Sequence, residues 1–286
     1  MGQGDRLLLT LLRCSALLAG AIVLVILGFV VRESWPALQE LGTRRLFSDG
    51  SWHPAGPSSE ATYGLGPMLA ASLAASGGAV LLATPLGWLS ALLSVVYAPR
   101  GIARLYRGLL LILGGVPSVV VGFWGLVELT PLIGRLHPPG QSLLAGILCL
   151  TLMILPTTAL LSEEALRQLP AEQLKAAALL GLSRPATVLG VMWPLARPAL
   201  IGAVLLAAGR ALGETMAVLM VAGNVIALPT SLFTPVRTLT ANIALELGYA
   251  LELHRSALFV GGLLHMALVG CVMALAWWLE RQEAYG

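Results

Sequence analysis

The sequence predicts an all-α, polytopic membrane protein with six transmembrane helices, and three observations carry that prediction. Hydrophobic residues make up 57% of the chain and charged residues 11%, with a mean hydropathy of +0.87; soluble domains carry about 25% charged residues. Apolar stretches at 7–30, 66–97, 105–127, 141–162, 196–222 and 257–279 are each long enough for a bilayer crossing of about 20 residues. Backbone groups in lipid must be satisfied within their own segment, which selects helices, and the alternating pattern of a barrel is absent.

Taken in order, the first stretch exceeds the apolar region of a secretory signal and is followed by no clean small-x-small cleavage site, so it reads as a retained helix. The 31–65 segment mixes Trp35, Trp52 and Tyr63 with proline and charge, which suits a headgroup interface. It either touches an external partner or caps the first helix. Residues 1–64 are expected to form an N-terminal helix with its external loop, and 65–282 the main membrane domain. Cys14, Cys149 and Cys271 fall in separate apolar runs; their odd number and wide spacing mark packing residues, not a disulfide framework or a zinc site.

Six spans place both termini on the side of the 98–104 and 163–195 loops, opposite 31–65, 128–140 and 223–256. Arg6, Arg13, Arg100, Arg104, Arg107, Arg167, Lys175, Arg184, Arg197 and Arg281 lie on or near the first side. Arg32, Arg44, Arg45, Arg135, Arg237 and Arg255 are spread over the longer loops of the other. Positive residues in short loops mark the cytoplasmic face, so the termini and the 163–195 loop are expected there.

Within that loop, Pro170 introduces AEQLKAAALLG, a run of strong helix formers that Gly181 is expected to cap. Leu174, Ala177, Ala178 and Gly181 share one face of small or apolar side chains, and Glu172 and Lys175 are spaced to pair on the outside. Periodicity alone fits either an amphipathic connector lying on the bundle or a docking surface.

Arg210 and Glu214 interrupt the fifth span. At i, i+4 they would share a helical face and neutralise each other. They are either a structural pair or a pathway set, with Arg210 bordering an anion path and Glu214 orienting it. In the following external loop, Arg237, Asn242 and Glu246 lie among Thr234, Thr238 and Thr240. That set reads as an entry vestibule for an oxyanion or as an ordinary solvated loop. His265 is expected to make a hydrogen-bonded helix contact. Glu163 and Glu164 are expected to cap the fourth span or meet a partner.

Enzymatic readings find little support: neither GxSxG nor HExxH occurs. The chain's only lysine, Lys175, follows Leu174 and not a glycine, so a nucleotide-binding P-loop is absent and any ATP is hydrolysed by a partner. No cofactor, metal or nucleic acid is called for. A gradient-driven transporter with spans broken at Pro85, Pro117 or Pro156 would leave the 163–195 loop without a purpose.

The spacing Lys175-Ala176-Ala177, three residues, Gly181, nine residues, Val191-Met192-Trp193-Pro194 resembles the ATPase-docking motif of ATP-binding-cassette (ABC) importer permeases. It departs from that motif at Lys175, usually glutamate, and at Trp193, usually leucine. GGVPSVVVGFWGL (114–126), LPTTALLSEEALRQLP (155–170), GRALGETMAVLMVAGN (209–224) and SLFTPVRTLTANIALELG (231–248) extend the likeness. The chain thus resembles the PstC-type permeases of bacterial phosphate ABC importers.

That resemblance implies the type I importer permease (MetI-like) fold in the bacterial cytoplasmic membrane. It implies a second, PstA-like permease, two copies of an ABC ATPase and an external phosphate-binding protein as partners. It also implies phosphate as cargo, with sulfate, molybdate or another oxyanion as the alternative. On the same basis Arg210, Glu214, Arg237 and Asn242 become the expected substrate pathway. Glu172, Lys175, Ala176, Ala177, Gly181 and Pro194 become the coupling residues.

Overall fold

The computed structural model describes residues 3–54 and 61–284, with side chains over 8–54 and 61–279. The side chains of Arg6 and Arg281, which entered the orientation count, and residues 55–60 of the 31–65 segment lie outside that set.

The first helix, α1 (Gln3–Glu40), runs beyond its apolar stretch and is followed by α2 (Gly42–Ser48) and a two-residue hairpin, β1 (Trp52–His53) with β2 (Thr62–Tyr63). Next come α3 (Gly66–Leu92), ending in a π-helical turn over Leu93–Tyr97, then α4 (Arg100–Gly114) and α5 (Ser118–Trp124). A second π turn over Gly125–Leu129 leads into α6 (Thr130–Leu136), and α7 (Leu143–Arg167) follows. The loop helices α8 (Ala171–Leu179) and α9 (Arg184–Thr187) precede a third π turn, Val188–Met192, and α10 (Trp193–Gly213). The chain ends with α11 (Met216–Val221), α12 (Leu239–Glu246) and α13 (Glu252–Ala284).

Among the described residues, five continuous helices are long and apolar enough to cross a membrane, and a sixth crossing exists only as the bent pair Arg100–Gly114 and Ser118–Gly134, at 91°. The straight helix expected over 105–127 is therefore corrected. Pro117 has extended backbone (ψ 139) and donates no N–H, and the residue before a proline is pushed out of helical conformation. The span expected over 196–222 is also interrupted, because α10 stops at Gly213 and Glu214 is extended (ψ 125) before α11 begins.

At the centre, α3 packs along α7 through Ala71, Ala75, Ala79, Ala83 and Gly87, spaced four apart on one face. In lipid, helices associate by close packing, which small residues permit. A Cβ at Gly87 would stand 2.7 Å from Thr158 Cγ2, so this approach requires glycine. Ser142 caps α7 by accepting from the Ala145 N–H at 3.3 Å. Around this pair, α10 packs against α7 and α13, while α1 lies along α13.

The loops sort into two ends as expected. At one, Leu143 N–H bonds to the Thr234 carbonyl and Trp52 meets Glu246. At the other, Arg107 of α4 and Arg167 of α7 share Glu163.

Candidate functional site

Three groups of polar or docking residues emerge. The first is the break after α10. Because the helix ends between them, Arg210 and Glu214 do not share a helical face, and among the described residues neither has an ion-pair partner within 4.0 Å; the expected pair is not formed. Exposed Arg210 donates from Nη1 to Thr157 Oγ1 on α7 at 3.1 Å. Half-buried Glu214 serves the next helix instead: its Oε1 accepts from the Ala217 N–H at 3.3 Å, near the N-terminus of α11, and its carbonyl accepts from Thr240 Oγ1 at 3.4 Å. A carboxylate at a helix N-terminus satisfies an orphan donor and the helix dipole together.

The second group is a closed cluster at the end of the bundle opposite α8. Glu246 accepts from Arg237 Nη1 at 2.6 Å and Trp52 Nε1 at 2.7 Å, and lies 2.9 Å from His254 Nε2. Arg237 also donates to Asn242 Oδ1 and the Asn224 carbonyl, each at 3.0 Å. Asn242 is 1% exposed, so it cannot line an open path in this arrangement. The vestibule expected from Arg237 and Asn242 is corrected to an internal tie joining β1, the 223–237 loop, α12 and α13.

The threonines do not converge on that guanidinium either. Thr238 caps α12, Thr240 reaches Glu214, and Thr234 bonds with Thr230 and Ser231. Tyr63 stands edge-on to Trp52 beside the cluster, and burial, then the Glu40 carboxylate, push its hydroxyl pKa above its ordinary value.

Sequence reasoning missed Trp52 and His254 as partners of Glu246. Trp52 lies 194 residues away in sequence and leaves no local trace. The signal available was Asn242 and Glu246 at i, i+4, which place two polar side chains on one face of α12.

The third group is α8. Leu182 N–H bonds to the Ala177 carbonyl at 3.1 Å and Gly181 N–H to that of Ala178 at 3.0 Å, with Gly181 at φ +70. This is a Schellman cap, and Gly181 terminates the helix as the sequence predicts. The small-residue face is corrected: Ala177 is 3% exposed and Leu174 half-buried, both turned toward the bundle. The outward edge carries Glu172, Lys175, Ala176, Ala178, Leu179 and Leu180, with Leu179 89% exposed. Glu172 and Lys175 form no ion pair within 4.0 Å among the described residues. Trp193, the departure from the docking motif, contacts Trp88 of α3 edge-on at 4.8 Å, and exposed Pro194 opens α10 beside it.

Two further expectations change. Glu163 is not an open cap: it is 1% exposed and ion-paired to Arg167 (2.7 Å) and Arg107 (3.4 Å). His265 Nδ1 is buried with no hydrogen-bond partner, so the expected helix contact is not made through that atom. No group of three or more potential metal ligands occurs among the described residues.

Residues 83–283 match the model of the family described as "binding-protein-dependent transport system inner membrane component". A probable ABC transporter permease protein, YqgH, of Bacillus subtilis is 38% identical over 201 residues, covering 70% of this chain; the chain spans 64% of that relative's length. The phosphate transport system permease protein PstC of Mesorhizobium japonicum is 33% identical over 284 residues, covering 90% of this chain and 85% of the relative. Among solved structures, an inward-facing conformation of the MetNI methionine ABC transporter superposes with a TM-score of 0.56 at 20% identity, covering 76% of this chain and 92% of that one. Its MetI-like fold is the fold of this chain. By the family match and by identity over most of its length, the chain belongs to the inner membrane components of binding-protein-dependent transport systems.

Proposed function

We propose that this chain is the permease subunit of an ATP-driven importer that moves inorganic phosphate across the bacterial cytoplasmic membrane. The observation that carries the reading is Arg210, an exposed guanidinium on a membrane helix with a threonine for company and no carboxylate in ion-pair range among the described residues. A charge facing lipid costs about 2.5–3.5 kcal/mol at a helix centre on insertion scales, and Arg210, in the last turn of α10, lies within an apolar run that α11 continues. The face bearing Arg210 therefore belongs to a polar path or a subunit boundary. A guanidinium there stays charged at any working pH and offers a planar fork to phosphate oxygens.

Phosphate as the cargo is supported by PstC relatives in several organisms, among them Mesorhizobium japonicum at 33% and Xylella fastidiosa at 30% identity over most of the chain. Glu214 acts by fixing the α10–α11 break beside Arg210. Arg237 and Asn242 act one layer out, holding the external loops through Glu246. The outward edge of α8, with Glu172, Lys175 and Ala176, docks the ATPase, while buried Ala177 seats that edge on the bundle, Gly181 ends the helix and exposed Pro194 flanks it at the start of α10.

The complete machine has a PstA-like second permease, two ATPase copies and an external phosphate-binding protein. Both termini of this chain are cytoplasmic, as the arginine bias directs. Residues 65–282 form the transport domain, and 1–64 an added helix and external loop.

Arg210→Ala should abolish phosphate uptake while the complex still assembles, and Arg210→Lys should not restore it fully. Uptake by the unaltered complex should persist when the proton gradient is collapsed and ATP is kept high. Normal uptake by Arg210→Ala removes Arg210 from the path; loss of uptake with the gradient removes the ATP-driven reading.

A further inference from the structure

We propose that a cleft at the α8 end of the bundle binds a phosphate group, carried by a lipid headgroup or by a free phosphate ion. The cleft has a volume of about 420 Å³ and is lined by Arg100, Arg104, Arg107, Arg167, Ser94 and Ala98. Arg100, Arg104 and Arg107 follow one face of α4, spaced four and three apart, and Arg167 closes the site from α7. Four guanidinium groups thus surround a single space. Glu163 engages only Arg107 and Arg167, from the buried side; among the described residues Arg100 and Arg104 have no ion pair. Positive charge remains in excess.

A second observation points to a ligand. Ser94, in the π-helical turn that ends α3, is 4% exposed, and its Oγ is buried without a hydrogen-bond partner in the cleft wall. An orphaned buried hydroxyl is unfavourable, and an anionic oxygen in the cleft would accept its proton. The first turn of α4 has no side-chain cap, so its free N–H groups add to the field. The wall is held in shape by the 2.6 Å hydrogen bond between Ser90 and Tyr106, which ties α3 to α4. Guanidinium forks match phosphate oxygens, and basic pockets between membrane helices on the cytoplasmic side bind anionic headgroups. The cleft shares no residue with the Arg210 face or the exposed edge of α8, so it is a site apart from the transport path proposed above.

The test uses the assembled complex in phosphatidylcholine nanodiscs. In one arm phosphatidylglycerol is added and its retention is read by native mass spectrometry; in the other, inorganic phosphate is titrated by calorimetry. The double variant Arg100→Gln/Arg104→Gln leaves the Glu163 ion pairs intact and should weaken the bound ligand by about thirtyfold, since each arginine near the surface contributes roughly a factor of five. Ser94→Leu, which fills the cleft without changing charge, should give a loss in the same arm, and Arg135→Gln at the far end none. Loss confined to the first arm identifies a lipid, and loss confined to the second a soluble phosphate. The proposal is overturned if the double variant, or Ser94→Leu where the double variant does not assemble, holds both ligands as the unaltered complex does.

Discussion

Replacing Glu246 by alanine tests the largest correction made by the structure. Its carboxylate is met by Arg237 at 2.6 Å, Trp52 at 2.7 Å and His254 at 2.9 Å. Hydrogen bonds to a charged group contribute about 1.5–3 kcal/mol each, but these share one anion and do not add. Removing one partner of a buried ion pair costs about 3–5 kcal/mol, because the other charge is stranded. Glu246→Ala should therefore destabilise the chain by about 3–5 kcal/mol, lowering its melting midpoint on the order of 10 °C. Arg237→Ala should cost nearly as much, and the double variant little more than either, giving a coupling nearly as large as one single loss. Thermal unfolding of the purified complex, followed by fluorescence-detected size exclusion, measures all three. Additive losses, or a Glu246→Ala midpoint equal to that of the parent, would refute the closed cluster. An Arg237→Ala variant of unchanged stability but raised half-saturation for uptake would reinstate the entry-contact reading.

Three more tests concern the α8 end of the bundle. Ala177→Glu buries an unpaired charge at a position 3% exposed and should unseat α8, at a cost of at least about 2 kcal/mol. Leu179→Glu, on the exposed edge, should leave the stability within about 0.5 kcal/mol of the parent yet reduce ATPase co-purification, measured by size exclusion of the tagged complex. Trp193→Leu, which restores the usual residue of the docking motif, should lose the edge-on contact with Trp88, about 0.5–1.5 kcal/mol, in a double-mutant cycle with Trp88→Leu.

The crossings were legible because hydropathy over about 20 residues is a one-dimensional property that lipid reads directly. The breaks inside them, at Gly213 and Pro117, were not. Apolar composition continues through both sites, and hydropathy does not register a change of backbone direction. Assuming an uninterrupted helix across Gly213 created the Arg210–Glu214 pair; a glycine three residues after a basic residue is an ordinary helix-stop pattern. At α8 the period correctly grouped Leu174 and Ala177 on one face, but periodicity is silent on whether that face meets the chain's own bundle or a partner. The charges were hardest to sort. Arg237 and Arg210 look alike in sequence, and only the long-range meeting of Trp52, Glu246 and His254 separates a satisfied guanidinium from one with no carboxylate.

The packing beneath α8 gives a mechanical reason why docking there should reach Arg210. Leu169 and Leu174 rest on a cluster in which Val188 and Met192 of the third π turn, with Ala196 and Leu200 of α10, meet Trp88 and Leu92 of α3. A displaced α8 must either open that cluster or carry the ends of α10 and α3 with it. Opening exposes several large apolar side chains, each contributing about 1.5–3 kcal/mol when fully buried, whereas moving packed helices together loses none of those contacts. The second course is the less costly, and α10 transmits it along its own hydrogen-bonded length to Gly213, where the helix ends. Beyond that point the chain is held by the Glu214 contacts to Ala217 and Thr240, at 3.3 and 3.4 Å, with no continuing helical ladder. Displacement is thus best absorbed at the break that follows Arg210, and the contact with Thr157 on α7 is the one it would first alter.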